Sequence, residues 1–184
     1  MEASRSALPE VKFALNAMRT RVRSMALLHE SLYQSGIFAS IDLGAYISLL
    51  ASQSFDALRE QSSPVKLRLD MASVQVGIEQ ATPVGLLVNE LISNSLKHGF
   101  PNGLPGEVRI ELQPVDGSSQ WRLQVSDTGV GLPTDFDANR LTSMGLQLVF
   151  GLATQMDGVL EIGPGPGAVF FVEFKIKEYR VKPG

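Results

Sequence analysis

Cysteine is absent from the 184 residues, which excludes disulfides, thiolate metal sites and a cysteine nucleophile. Such a chain suits a reducing compartment, and a cytoplasmic location is expected. Histidine occurs only at His29 and His98, too few for a histidine-rich metal centre. No run approaches the roughly 18 apolar residues that a membrane helix needs, and the opening M-E-A-S-R-S lacks the pattern of a signal peptide. Charge of one sign is also scarce. Sixteen Lys and Arg against 19 Asp and Glu leave −3, without the basic excess of a nucleic-acid binder. We expect no nucleic-acid partner and no membrane contact by this chain. What is present is a hydrophobic fraction of 44%, typical of a folded domain. The length suits one domain of about 150 residues with an appendage.

The appendage comes first. Residues 7–35 read as one long helix in which Val11, Leu15, Met18, Val22 and Met25 alternate steps of four and three, a seam continuing through His29 to Leu32. Arg5, Arg19, Arg21 and Arg23 flank it, and Gly36 is a plausible stop. A lone seam helix is unstable in water, so a partner helix is required, either from this chain or from a second copy, and the seam suggests a homodimer through this helix. Asp42 then caps a second helix over 43–60, with Leu43, Tyr46, Leu49, Leu50 and Leu58 as its apolar positions.

Residues 65–71 alternate as a strand, and Val74, Val76 and Ile78 form a second short one. Thr82-Pro83 starts a helix over 84–100, proline being tolerated in a first turn. After a loop at 101–106, residues 107–113 and 120–126 alternate as a hairpin. Residues 127–142 read as loop. Ser143 caps a helix to 156, stopped by Asp157-Gly158, and 159–162 with 168–176 make a last hairpin before a frayed tail. This order predicts an α+β fold: a two-layer sandwich, its mixed and mostly antiparallel sheet covered by helices on one face, preceded by the long helix.

Three patches carry chemistry. In V-G-L-L-V-N-E-L-I-S-N-S-L-K-H-G-F, residues 84–100, Glu90, Asn94, Lys97 and His98 recur at spacings of four, three and one. Helical neighbours lie three and four apart, so a carboxylate, an amide, an ammonium and an imidazole line one side of an oily helix. A ligand with negative charge and a metal would satisfy them. In Asp127-Thr128-Gly129-Val130-Gly131, an aspartate directly after a strand can accept a hydrogen bond from an exocyclic amine, and the glycines let backbone approach a ligand. Ser143-Met144-Gly145-Leu146 opens a helix whose free amides favour phosphate. Singly, these are a solvated face, a turn and a cap; together, in this order, they are far more specific.

On these residues the chain resembles the ATP-binding domain of sensor histidine kinases, in the Bergerat-fold superfamily shared with DNA gyrase, MutL and heat-shock chaperones. N-E-L-I-S-N-S-L-K-H-G resembles the N box, D-T-G-V-G the first glycine box and S-M-G-L-Q-L-V the second. R-S-M-A-L-L-H-E-S-L-Y resembles the second dimerisation helix of HWE-like relatives, which have a short ATP lid. The resemblance implies a partial dimerisation and phosphotransfer helix at 1–37, an ATP-binding catalytic domain at 38–178 and a tail at 179–184. It implies that Asn94 ligates Mg²⁺ bridging the ATP phosphates, and that Glu90 polarises the acceptor or a water. Lys97 would touch phosphate, His98 phosphate or ribose, and Asp127 the adenine amino group. Gly129 and Gly131 would shape the adenine wall and lid hinge, and Ser143, Gly145 and Leu146 would offer amides to phosphate. The product would pass from a histidine to a response-regulator aspartate.

Three departures qualify it. The acceptor histidine of such kinases lies on an upstream helix, and His29 sits in no acceptor motif, so this chain alone is not expected to autophosphorylate. Ala168 follows Gly167 where relatives carry Thr or Ser, removing a hydroxyl that helps the aspartate hold adenine; weakened affinity is one expected result, a compensating water the other. Trp121-Arg122-Leu123 stands where HWE kinases have Trp-x-Glu, placing the chain beside that family, with Trp121 covering an apolar patch. Two alternatives remain: a degenerate kinase-like adaptor or phosphotransfer scaffold without ATP turnover, which gives no reason to keep Asn94 and Asp127, and a serine kinase of the anti-sigma type, in which the leading helix is not expected.

Overall fold

The computed structural model describes residues 40–60, 62–116, 118–133 and 144–177. The expected helix over 7–35, its seam and the dimer through it, His29, the tail and Ser143 all lie outside the described residues.

Two short strands, β1 (Ile41–Asp42) and β3 (Gln75–Val76), pair antiparallel, and each leads directly into a helix. Helix α1 (Leu43–Leu58) starts where Asp42 accepts the Ala45 amide at 3.0 Å. The same carboxylate accepts the Ser73 hydroxyl at 2.6 Å. Burial works to raise the Asp42 pKa, but the hydrogen bonds from Ser73, Ala45 and Gly44 together outweigh it and hold the group below the usual carboxylate value. Helix α2 (Ile78–Asn94) follows β3.

The main sheet has the order β2-β4-β5-β7-β6. Its strands are β2 (Val65–Met71), β4 (Gly106–Pro114), β5 (Gln120–Asp127), β7 (Val169–Lys175) and β6 (Val159–Ile162). The β2–β4 pair is parallel and the other three are antiparallel. A parallel pair needs a crossover connection, and here that crossover carries α2. Helix α3 (Met144–Gln155) completes the helical layer.

Strand alternation separates two faces. Val108, Ile110 and Leu112 of β4, Leu123 and Val125 of β5, and Phe170, Val172 and Phe174 of β7 are buried in one core with Ile47, Leu50, Leu87, Leu91, Val149 and Leu152 of the helices. Trp121 packs against this core, half-buried, as expected. The opposite face is polar: Arg109 pairs with Glu111 at 3.0 Å, Arg122 pairs with Glu173, and the Arg122 guanidinium lies 5.3 Å from the Phe171 ring centroid. The two-layer, mostly antiparallel expectation is met.

Helix α2 departs from its sequence reading at both ends. It begins at Ile78 rather than at Thr82-Pro83, and β3 stops at Val76, so Ile78 is helical. Pro83 therefore lies inside the helix, where it cannot donate to the preceding turn. Gln80 explains why the extra turn persists. It is 2% exposed, its amide nitrogen donates to the Lys175 carbonyl at 2.8 Å, and its amide oxygen accepts the Lys177 N–H at 2.8 Å. At the far end the α-helix stops at Asn94 and winds into one π-helical turn, Ser95–Gly99. Such turns recur at functional sites.

Candidate functional site

Asp127 is the last residue of β5, in phase with Leu123 and Val125, so alternation puts it on the helix-covered face. It is 5% exposed. Its Oδ1 accepts the Gly129 amide at 3.0 Å and the Ala168 amide at 3.1 Å, and its Oδ2 accepts the Ser95 hydroxyl at 2.7 Å. One carboxylate thus joins its own turn, the start of β7 and the π turn after α2.

Bare backbone surrounds it. A Cβ on Gly99 would stand 3.4 Å from both Asp127 carboxylate oxygens, one on Gly129 would meet the Gly99 carbonyl oxygen at 2.2 Å, and one on Gly167 would meet the Asp127 carbonyl oxygen at 2.0 Å. The crossing is sealed by the Val130 amide donating to the Gly99 carbonyl at 2.9 Å. Gly131 has φ of 78°, a left-handed conformation that suits glycine.

The polar stripe of α2 is graded along its length. Glu90 is 3% exposed, Asn94 is half-buried, and Lys97 and His98 are exposed on the π turn. Packing of part of the His98 ring, and after it the neighbouring Lys97 charge, hold the imidazole pKa below its ordinary value. The first turn of α3 lies against the buried end of this stripe. A Cβ on Gly145 would stand 3.3 Å from Glu90 Oε2 and 3.6 Å from Asn94 Oδ1. Leu146 is half-buried on the core.

The fold therefore brings Glu90, Asn94 and Gly145 together on α2, and Asp127, Gly129 and Gly99 together at the π turn that follows it. Among the described residues no cluster of three or more His, Asp or Glu forms a metal site. An ion carried by Asn94 would need oxygen donors from a ligand or water, a habit of Mg²⁺ rather than of an ion in an all-protein cage.

Sequence reasoning missed Ser95, Gly99 and the Ala168 amide. Ser95 and Gly99 were hidden because the stripe was read at α-helical spacing, which the π turn alters. Ala168 was judged by its missing hydroxyl, whereas its backbone makes the bond.

A two-layer sandwich with a carboxylate at a strand end, glycine turns around it and a polar helix stripe against a helix start defines the Bergerat class of ATPase folds. The family profile described as histidine kinase-, DNA gyrase B- and HSP90-like ATPase matches residues 79–178, and one described as histidine kinase matches residues 1–58. The chain belongs to the histidine kinase-, DNA gyrase B- and HSP90-like ATPase family. A blue-light-activated histidine kinase of Erythrobacter litoralis is 26% identical over 170 residues, covering 90% of this chain and 48% of that protein. A sensor histidine kinase of Mycobacterium tuberculosis is 28% identical over 163 residues, covering 87% of this chain and 32% of that protein. The chain thus spans less than half the length of these relatives. The solved histidine kinase domain of an Erythrobacter litoralis blue-light activated kinase matches with a TM-score of 0.77 at 28% identity, over 87% of this chain and 75% of that one.

Proposed function

We propose that this chain is the ATP-binding catalytic part of a two-component sensor histidine kinase, with the catalytic domain over 38–178 and the helix over 1–37 pairing two copies. The observation that carries the reading is the Asp127 carboxylate: buried, pinned by three donors, and approached closely by the bare backbone of Gly99 and Gly167. That arrangement favours a flat ligand with an N–H donor, as the adenine amino group is.

The division of labour follows from position. Asp127 binds the adenine amino group, and Gly129 and Gly131 shape the wall beside it. Half-buried Asn94 would hold Mg²⁺, whose charge would stabilise the phosphate oxygens. Lys97 and His98 reach phosphate from the exposed π turn, Gly145 and Leu146 offer amides from the first turn of α3, and Ser143, just before it in sequence, joins them at the phosphates. Glu90, beside Asn94 and Gly145, polarises the acceptor. The chain's residues mainly position the γ-phosphoryl and spread its charge, the usual burden in phosphoryl transfer. The acceptor is a histidine outside this chain, whose phosphoryl passes to a response-regulator receiver domain in the cytoplasm. Alkali-stable, acid-labile label on ATP-treated protein that vanishes in His29→Ala would contradict that placement.

The reading is tested by calorimetry with Mg-ATP on the wild type and Asp127→Asn. Asparagine can still accept the two amides through its oxygen, and Ser95 can turn to accept from its NH₂, so the variant is expected to fold. It then presents a donor to the ligand's donor. One-to-one binding in the wild type, lost in the variant, is expected; equal behaviour of the two would overturn the assignment.

A further inference from the structure

We propose that Ser95 is a positioning residue for nucleotide selection, fixing Asp127 so that a single acceptor site faces the base. The proposal rests on the nucleotide reading above and adds a residue to it.

A carboxylate offers about four lone-pair sites. In Asp127 two are taken on Oδ1, by the Gly129 and Ala168 amides, and one on Oδ2, by Ser95. One remains, on Oδ2. Both backbone donors hold the same oxygen, so they leave the group free to swing about that end. The Ser95 hydroxyl, at 2.7 Å and on a residue 8% exposed, holds the other end. Without it Oδ2 would have two open sites in a nearly buried place, and water or a tilted carboxylate would fill them.

The π turn makes this contact possible. Ser95 and Gly99, four residues apart, both come to Asp127: one by its hydroxyl, the other by the bare Cα whose added Cβ would stand 3.4 Å from both oxygens. The opposite wall supplies no hydroxyl, since position 168 is alanine and contributes only its amide. The hydroxyl that the resemblance expects on the strand is thus carried by the helix, and the expected weakness at Ala168 is answered from across the pocket.

Selection follows from the hydroxyl's direction. A hydroxyl is a rotor that can donate to either of two acceptors. Because Asp127 holds the Ser95 proton, that proton is withheld from a base carrying a carbonyl in place of the amino group. An amino group meets the open Oδ2 site; a carbonyl meets oxygen against oxygen.

The test compares Mg-ATP with Mg-ITP, whose base carries a carbonyl in place of the amino group and a proton on the ring nitrogen beside it, by calorimetry on the 184-residue chain as wild type, Ser95→Ala, Ser95→Thr and Asp127→Asn. Ser95→Ala is expected to weaken ATP about tenfold, because water or a tilted carboxylate then competes for the Asp127 acceptor site, and to lower the ATP-to-ITP affinity ratio. Ser95→Thr, which keeps the hydroxyl, should restore both to within about twofold, and thermal midpoints report folding. A purely structural role would move both nucleotides alike. Wild-type ATP affinity and ratio in Ser95→Ala, with Asp127→Asn still silent, would overturn this assignment alone. Asp127→Asn binding like the wild type would overturn the nucleotide reading and this assignment with it.

Discussion

The two ends of α2 are both tied to a strand by a buried polar side chain, and they differ in what lies at the far side of the bond. At the first end Gln80 spends its amide on backbone, the Lys175 carbonyl and the Lys177 N–H, where the sheet finishes. Lys177 is held further by Asp157 at 2.8 Å, a contact whose hydrogen bond lowers the exposed carboxylate's pKa. That joint is spent on the fold: both the nitrogen and the oxygen of the Gln80 side chain are bound to backbone. At the second end Ser95 meets a side chain, Asp127, that has an acceptor site to spare and glycines on its open sides. A buried polar bond that ends on backbone holds a fold together. One that ends on an unsaturated carboxylate prepares a site.

The largest expected effect comes from filling the gap at the second end. The Cβ of Gly129→Ala would stand 2.2 Å from the Gly99 oxygen and 2.6 Å from its carbonyl carbon, both backbone atoms that cannot rotate away. The turn must leave the π segment, breaking the Val130–Gly99 hydrogen bond. Overpacking of this kind costs about 1–3 kcal/mol, and ATP affinity should fall more than tenfold with it. Urea unfolding and calorimetry read the two effects. A variant with wild-type values in both would show that the close approach is unimportant.

The matched change at the first end should separate stability from binding. Gln80→Ala removes two part-buried hydrogen bonds to the Lys175 carbonyl and the Lys177 N–H, a loss of about 1–3 kcal/mol, while the ATP dissociation constant should stay within about twofold. A large affinity loss at unchanged stability would erase the distinction between the two ends.

The middle of the helix offers a third contrast. Asn89 is fully buried, and among the described residues neither its amide oxygen nor its nitrogen has a partner. The Tyr46 hydroxyl on α1, which lies where a Cβ of Gly85 would be, is likewise unpartnered, and burial raises its pKa. A buried amide without partners destabilises, so Asn89→Leu is expected to raise stability by up to about 1 kcal/mol, read as the shift in urea midpoint. A lowered midpoint would mean that a buried water satisfies the amide and that this stretch, too, is a finished polar joint.

These contrasts explain what could be read from sequence. The sheet was legible because alternation at 108–112 and 121–127 is a property of each strand alone, and Asp42 announced its helix as a cap. Glu90, Asn94 and Asp127 were legible because their residue types are costly to bury without a purpose. The start of α2 was not, because Pro83 is a local signal and Gln80 overrides it through bonds to residues nearly a hundred positions away. Ser95 was not, because its partner lies 32 residues on and the π turn that delivers it has no signature in the letters. Side-chain periodicity is local; the pairing of a hydroxyl with one particular carboxylate is not.

The smallest expected effect concerns the exposed tip of the second end, and it has a definite sign. His98 has its pKa lowered first by burial and then by Lys97. The unfolded chain therefore takes up a proton at a higher pH than the native chain does. Between the lowered native pKa and the ordinary value of about 6.5 the unfolded state binds more protons, so stability falls as pH falls through that window and is level above it. Because the ring is partly in solvent, screening keeps the change under about 0.5 kcal/mol. His98→Asn should remove the slope, and Lys97→Met should reduce it only in part, since burial is the larger cause. Urea midpoints at half-unit steps from pH 5 to 8 would read it, on the order of the precision that a two-state fit allows. A midpoint that rises on acidification would mean that His98 gains a carboxylate partner, and that the tip of the π turn is a closed joint like Gln80 rather than the open edge of a phosphate site.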